Sequence, residues 1–398
     1  MSAPGDTTPF RVDAAALLDE VQLFQERLAT GVGLLRSLEK VTPGGTPREA
    51  IHREDKLTLY RYRPEKPQPG LGPLLIVYAL VNRPTMTDLQ EDRSLIRGLL
   101  AAGLEVYLVD WGYPDAGDRG LTLDTYVNGY LDRCVGAVSA RHDGTPVNLL
   151  GICQGGTLSL CYAALHPERV ARLVTMVTPV DFQTPDNLLG TWARELDVDL
   201  LVDSMGNIPG TWLNWVFMAL KPFRLSGQKY VDLVDLVDDP AAVRNFLRME
   251  HWIFDSPDQA GEAFRQFVKA CYQQNALVEG TLELGGRRVD LADITMPVLN
   301  VYATADHLVP PSASLALAGR VGSDDYTEVA FRGGHIGIYV SSRARKVPAE
   351  IAAWIAARAD SPKQRGGGKK GKKRAKKAVK DVKKGRRKGA GKAGKEAS

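Results

Sequence analysis

The 398-residue chain has little cysteine and lacks the patterns that mark several common protein classes. Its four cysteines show no C-x-x-C spacing and no zinc-type pattern with histidine, which argues against a disulfide framework or a structural zinc site. No apolar run approaches ~18 residues and the N-terminus is polar, so neither a transmembrane helix nor a signal peptide is expected. Phosphate-loop motifs and internal repeats are also absent. We therefore expect a cytoplasmic protein whose reducing surroundings keep a reactive cysteine free.

Charge is distributed unevenly along the chain. The net charge is +4, from 51 Lys and Arg against 47 Asp and Glu. Residues 361–398 hold 17 of these basic residues against only Asp381 and Glu396, a net +15, which leaves −11 for residues 1–360. Such a tail is expected to be disordered. It resembles the basic ends of nucleoid-binding and granule-associated proteins, which favours binding to DNA or another polyanion. The alternative is a solvated extension without a partner.

One short motif carries most of the chemical information. Residues Gly151–Gly156 have the spacing of a nucleophile elbow, G-x-S-x-G, with Cys153 in place of serine. An apolar, strand-like segment precedes the motif and a helix pattern over 157–165 follows it. A sharp turn in this context places the side chain at a helix N-terminus, where a thiolate is favoured. Cys153 is therefore the candidate nucleophile, with a buried structural cysteine as the alternative.

The candidate partners of this cysteine follow it in the order nucleophile, acid, histidine. Asp306 comes just after the apolar strand predicted over 297–302, on the side of the sheet where open α/β folds build their sites. His335 lies in a glycine-rich loop after the strand predicted over 326–331. Asp306 could instead cap a helix near Pro310, and His335 could be an ordinary loop histidine.

The other histidines fit a catalytic role less well. His52 and His142 are expected in polar loops, and His166 precedes a proline at a helix end. His307 is a rival of His335, but its position beside Asp306 fits a supporting role better. His251 falls in the segment between the elbow and the acid.

Strand and helix patterns alternate through most of the chain and predict an α/β fold with a mostly parallel sheet flanked by helices. Strands are predicted over 56–62, 74–80 and 105–110, with a helix over 95–102. An amphipathic helix is predicted over 11–40. We expect an N-terminal helical segment (1–50), a core in two parts (51–181 and 291–360), a helical lid or cap (182–290) and the basic tail (361–398). The lid position, between elbow and acid, is typical of the α/β-hydrolase fold.

Several further segments resemble the polyhydroxyalkanoate (PHA) synthases, and specifically their short class III catalytic subunits. The resemblance covers about residues 15–358 and rests on motifs at 77–89, 110–114, 149–156, 176–181, 305–310 and 334–337. The class rests partly on size, since only some 40 residues precede the core. Class IV catalytic subunits, which are similarly short, are the alternative.

The resemblance implies the reaction and the site. Cys153 would be the nucleophile that takes the acyl group of a short-chain (R)-3-hydroxyacyl-CoA, with His335 as general base. Asp306 would either orient His335 or activate the hydroxyl of the incoming unit. The reaction also needs oxyanion donors, which the elbow offers in the N–H of Gln154 and the loop after the strand predicted over 74–80 offers in the N–H of Val81. His307, next to Asp306, is expected to have a supporting role. No metal or cofactor is expected, because CoA is a product.

The same resemblance implies partners and a location. We expect a non-catalytic E-type subunit, a homodimer, and a location at the surface of cytoplasmic polyester granules. Two other functions stay open: a cysteine-type hydrolase or acyltransferase acting on small esters or thioesters, and a protein that tethers granules to the nucleoid through the tail. The aromatic helices of residues 182–290 could cover an acyl pocket or only bury one another.

Overall fold

A central sheet of eight strands organises the chain, as seen in a computed structural model that describes residues 45–223 and 238–359 and four isolated positions (19, 22, 233 and 236). The strand order is β1-β2-β4-β3-β5-β6-β9-β10, and all neighbours from β4 to β10 run parallel. The strands of the central part are buried along their whole length, as expected for a parallel sheet covered on both faces. The bounds are β1 Glu49–Glu54, β2 Leu57–Tyr62, β3 Leu74–Val77, β4 Val106–Asp110, β5 Val147–Ile152, β6 Val170–Met176, β9 Val298–Ala303 and β10 Tyr326–Phe331, with a separate hairpin of β7 Glu283–Leu284 and β8 Arg287–Arg288.

Helices cover the sheet and fill the segment between β6 and β9. The α-helices described are α1 Leu95–Ala101, α2 Asp132–Ala140, α3 Gln154–Leu165, α4 Leu188–Arg194, α5 Val198–Met205, α6 Gly210–Ala219, α7 Pro240–Phe254, α8 Gly261–Phe267, α9 Ala276–Glu279, α10 Pro311–Leu315, α11 Gly337–Val340 and α12 Val347–Ala356. Two π-helical segments flank these helices: Thr125–Leu131 leads into α2, and Val268–Gln273 follows α8. Helix α3 is buried along its whole length because it packs under the centre of the sheet.

Most predicted elements are present, with differences at their ends. The strand predicted over 74–80 stops at Val77, so the following residues form a loop. Helix α3 begins at Gln154, three residues before the predicted start, directly after the cysteine. Strands β1 and β6 were not predicted, and the expectation of a loop at His52 is wrong because that residue lies in β1.

Strand β1 starts at Glu49, two residues before the expected start of the core. Residues 182–290, which we call the helical insertion, contain α4 to α9 and the β7–β8 hairpin. The chain divides into two units, Met1–Ala356 and Ala357–Ser398. The helix predicted over 11–40 and the basic tail lie outside the described residues.

Candidate active site

The turn between β5 and α3 gives Cys153 a backbone conformation that few side chains adopt. Its φ and ψ angles are 52° and −126°, in a region that favours glycine and costs a non-glycine residue about 1–3 kcal/mol. The turn is held because the Cys153 N–H donates to the Met176 carbonyl at 2.9 Å. Cys153 is partly exposed, whereas the other three cysteines, which are also free thiols, are buried. The structure therefore presents one thiol at the C-terminal edge of the sheet.

Close packing against β3 explains why residue 155, two residues after Cys153, is a glycine. A Cβ atom at Gly155 would lie 2.3 Å from the Val77 carbonyl oxygen and 2.4 Å from that of Tyr78. Both contacts are with backbone, which cannot move without displacing β3. Glycine at this position lets the start of α3 lie directly against the end of that strand.

His335 and Asp306 are joined by a hydrogen bond next to the cysteine. Nδ1 of His335 lies 2.7 Å from Oδ2 of Asp306, and both residues are buried. The other carboxylate oxygen of Asp306 accepts hydrogen bonds from the N–H groups of Leu308 and Val309, each at 2.9 Å. Asp306 is thus not the cap of α10, whose N-cap residue is Pro310. Its carboxylate is held by three donors, which fixes its orientation.

The surroundings of His335 favour the charged imidazolium. Burial by itself would lower the pKa of His335, but the Asp306 carboxylate bound to the ring and the nearby Cys153 sulfur raise this pKa well above its ordinary value. Since Nδ1 is bound to Asp306, the remaining nitrogen, Nε2, is the one available to the thiol. His335, held by Asp306, is therefore the base that can take the proton of the neighbouring Cys153 thiol.

The two residues predicted to supply oxyanion donors, Gln154 and Val81, line the same cavity as Cys153. Gln154 is the first residue of α3, so its N–H has no acceptor within the helix. The N–H of Val81, in the loop after β3, has no acceptor among the residues that the structure describes. The Gln154 side chain links the two segments, because its Oε1 accepts from the Leu80 N–H at 3.1 Å. The expected oxyanion donors are thereby brought to the same cavity as Cys153.

A largely apolar cavity of about 310 Å³ opens onto Cys153 and His335. The core contributes Tyr78, Val81 and Gln154, and the helical insertion contributes most of the remaining wall. The aromatic residues that the insertion contributes are Trp192, Trp212, Phe217, Trp252, Phe264, Phe267 and Tyr272. The insertion thus contributes to an apolar pocket as well as to its own core.

Three buried tyrosines near the cysteine were not predicted. Burial raises the pKa of Tyr78, Tyr272 and Tyr339 far above the ordinary value, and charge at Cys153 adds to each shift. Their hydroxyl groups therefore stay protonated around the thiol. The Tyr339 hydroxyl is buried without a hydrogen-bond partner within the described ranges. Tyr78 and Tyr339 lie in or beside motifs noted in the sequence, whereas nothing in the sequence singles out Tyr272.

The remaining histidines are not part of the Cys153–His335–Asp306 group. His166 bonds to Asn128 at 2.9 Å, and His142 to the Tyr107 hydroxyl at 3.0 Å. His307 is partly buried directly after Asp306. In residues 45–223 and 238–359 no group of three or more His, Cys, Asp or Glu side chains could hold a metal ion. The same residues include no helix long and apolar enough to cross a membrane.

The sheet is mostly parallel, its elbow carries a cysteine, and a buried Asp–His pair lies beside that cysteine. These features define a protein of the α/β-hydrolase fold with cysteine as the candidate nucleophile. The family model described as alpha/beta hydrolase fold matches residues 72–342. Among solved structures, the monoacylglycerol lipase of Paleococcus ferrophilus superposes with a TM-score of 0.50 at 19% identity, covering 75% of this chain and 99% of the lipase. This likeness concerns the fold alone.

Curated relatives assign the family more narrowly. The chain is 60% identical over 353 residues to the poly(3-hydroxyalkanoate) polymerase subunit PhaC of Allochromatium vinosum, covering 88% of this chain and 99% of the relative. It is 52% identical to the subunit of the same name from Synechocystis sp., covering 86% and 93%. The chain belongs to the poly(3-hydroxyalkanoate) polymerase PhaC family. The resemblance and the enzyme class inferred from the motifs are therefore confirmed.

Proposed function

We propose that the chain polymerises a short-chain (R)-3-hydroxyacyl-CoA into polyester through a thioester on Cys153. The observation that carries this proposal is that the Cys153 thiol and the His335–Asp306 pair lie together in the lining of an apolar cavity. Membership of the PhaC family supplies the substrate class. The cavity volume of about 310 Å³ is at the small end of ligand pockets, which supports short acyl chains.

The first step is the transfer of the acyl group to the enzyme. His335 takes the proton from the Cys153 thiol, and the thiolate attacks the thioester carbonyl. The N–H groups of Gln154 and Val81 stabilise the resulting oxyanion. Collapse of this intermediate breaks the bond to CoA, and the CoA thiolate receives the proton from His335. One thioester is exchanged for another, so the acyl group stays activated.

The second step forms the ester bond of the polymer. The 3-hydroxyl of another hydroxyacyl unit attacks the Cys153 thioester, and its proton passes to His335 as the thiolate leaves. We assign to Asp306 the role of orienting His335. Three observations support this: its side chain has 0% exposure, one oxygen is bound to His335, and the other accepts two backbone N–H groups. We assign His307, the next residue, a supporting role.

The expected partners and location belong to the same proposal. An E-type subunit, a homodimer and attachment to polyester granules agree with PhaC family membership. We also propose that the tail, residues 361–398, binds DNA or another polyanion, on the basis of its net charge of +15. Deleting the tail should weaken DNA binding and its salt dependence without lowering polymerisation. Unchanged DNA affinity after deletion would contradict the role assigned to the tail.

Product analysis tests the main proposal. Purified chain is incubated with (R)-3-hydroxybutyryl-CoA, released CoA is measured, and any insoluble product is hydrolysed and identified. Release of CoA together with polymeric 3-hydroxybutyrate is the expected result, and Cys153→Ala should abolish both. Free hydroxy acid without polymer would identify a hydrolase instead. Intact-mass measurement of acylated Cys153 separates the first step from any need for a second subunit.

A further inference from the structure

The loop after β3 is hydrogen-bonded to the helical insertion through one side chain. Asn82 has a φ of 58°, a left-handed conformation that asparagine tolerates better than most residues. Its Nδ2 lies 2.5 Å from Oγ of Ser256 and 3.4 Å from both the Ile253 carbonyl and Oδ1 of Asn214. All three acceptors belong to the insertion. The acceptors are themselves linked, since Ser256 Oγ donates to Asn214 Oδ1 at 3.2 Å.

The next residue is held by the same region. The carbonyl of Arg83 accepts a 2.7 Å hydrogen bond from Nε1 of Trp252, at the C-terminal end of α7. The Arg83 guanidinium bonds to Asp110 at 2.7 Å and lies over the ring of Tyr113. The hydroxyl of Tyr113 in turn donates to Asp255 of the insertion at 2.6 Å. The loop is thus joined to the insertion at two consecutive residues.

Val81 lies between this attachment and a second one. On one side, Leu80 donates its N–H to the side chain of Gln154, at the start of α3. On the other side, Asn82 bonds to the insertion. The N–H of Val81 belongs to the peptide that joins Leu80 to Val81, so its direction depends on both attachments. The side-chain bonds of Asn82 hold its left-handed turn in place. Without these bonds the backbone at Asn82 would shift, and the neighbouring Leu80–Val81 peptide would rotate with it.

We propose that Asn82 is a positioning residue through which the helical insertion aims the Val81 N–H at the developing oxyanion. The inference rests on the proposed function, in which Val81 is an oxyanion donor. It adds a role for the insertion beyond covering the cavity: only an insertion packed on the loop completes the oxyanion hole. Removal of an oxyanion donor costs ~10²–10³ in rate, and a misdirected donor costs part of that.

The test uses two reactions of the same sulfur. Acylation of Cys153 by (R)-3-hydroxybutyryl-CoA passes through an oxyanion. Its rate is measured by intact mass in a single turnover. Alkylation of Cys153 by iodoacetamide needs the thiolate but forms no oxyanion. Asn82→Asp keeps the shape of the side chain and removes its donor, and Ser256→Ala removes the nearest acceptor from the other side. We expect both variants to acylate about 10- to 100-fold more slowly while alkylation stays within about 2-fold of wild type.

Asn207→Ala is the matched control. The amide of Asn207 also joins the insertion to the core, donating to the Asp115 carbonyl at 2.6 Å and accepting from the Gly261 N–H, but it does not touch the loop at 80–83. Its acylation rate should equal that of wild type. Unchanged acylation in both Asn82→Asp and Ser256→Ala would overturn the inference, as would an equal fall in alkylation or an equal loss in the control. A wild-type chain that is alkylated but never acylated would instead overturn the proposed function, and this inference with it.

Discussion

The imidazole of His335 is bound to Asp306 through Nδ1, at 2.7 Å from Oδ2, and the Asp306 side chain is fully enclosed. This pairing leaves only Nε2 for the cysteine. It also sets the charge of the ring, because the carboxylate raises the pKa of His335 against the effect of burial. The Asp306–His335 bond therefore governs both the direction in which the base faces and its affinity for a proton.

Removing the charge of Asp306 should slow the reactions of Cys153. In Asp306→Asn the amide can hold the ring only in a changed tautomer, and the pKa of His335 falls. We expect alkylation of Cys153 by iodoacetamide at neutral pH to drop, and polymerisation to fall by ~10²–10⁴. The alkylation rate measured from pH 5 to 9 checks this, because the lowered pKa of His335 in the variant should change the pH dependence of the rate. A pH profile identical to wild type would contradict the role given to Asp306.

The same substitution should have a pH-dependent effect on stability. The folded pKa of His335 is raised above the unfolded value of about 6.5, so its contribution is complete below about pH 6.5 and is lost as pH rises through the folded pKa. The free energy of unfolding of Asp306→Asn should lie below that of wild type by about 1.5–3 kcal/mol at pH 5.5. The difference should shrink at higher pH. Urea unfolding from pH 5.5 to 9 measures it, and a difference that grows with pH would contradict the assignment.

Gly155 should not tolerate even one methyl group. In Gly155→Ala the new Cβ would meet two backbone carbonyl oxygens of β3 and its loop at 2.3 and 2.4 Å. We expect a loss of about 3 kcal/mol or more in the free energy of unfolding, or insoluble protein. Gly120→Ala is the control, since a Cβ there has nothing within 4 Å and the backbone is not left-handed. Equal unfolding midpoints for the two variants would show that the elbow can adjust.

The conformation of Cys153 predicts a difference between two inactive variants. Cys153→Gly and Cys153→Ala both lack the thiol and should form no polymer. Glycine accepts a φ of 52° and a ψ of −126° without strain, whereas alanine does not. We expect Cys153→Gly to be more stable than Cys153→Ala by about 1–3 kcal/mol, measured by urea unfolding. The reverse order would mean that the turn carries no strain.

The sequence predicted the catalytic candidates well because their signals are local. The elbow needs a strand, a turn and a helix in succession, and the acid and the histidine each follow a recognisable strand. Strand β6 is harder to predict than its neighbours because Arg172 and Thr175 interrupt its apolar residues. Strand β1 is a half-exposed edge strand of mostly polar and charged residues, which gives little hydrophobic alternation to detect.

The sequence by itself determined the family, the fold class and the identity of Cys153, Asp306 and His335 as candidates. It could do so because the motifs lie within short segments whose conformation depends on neighbouring residues. Only the tertiary structure decided that both oxygens of Asp306 are engaged, that three tyrosines surround the thiol, and that Asn82 joins the loop of Val81 to residues 214, 253 and 256. Those relationships connect positions more than a hundred residues apart in several cases, and they arise when the insertion folds back over the edge of the sheet.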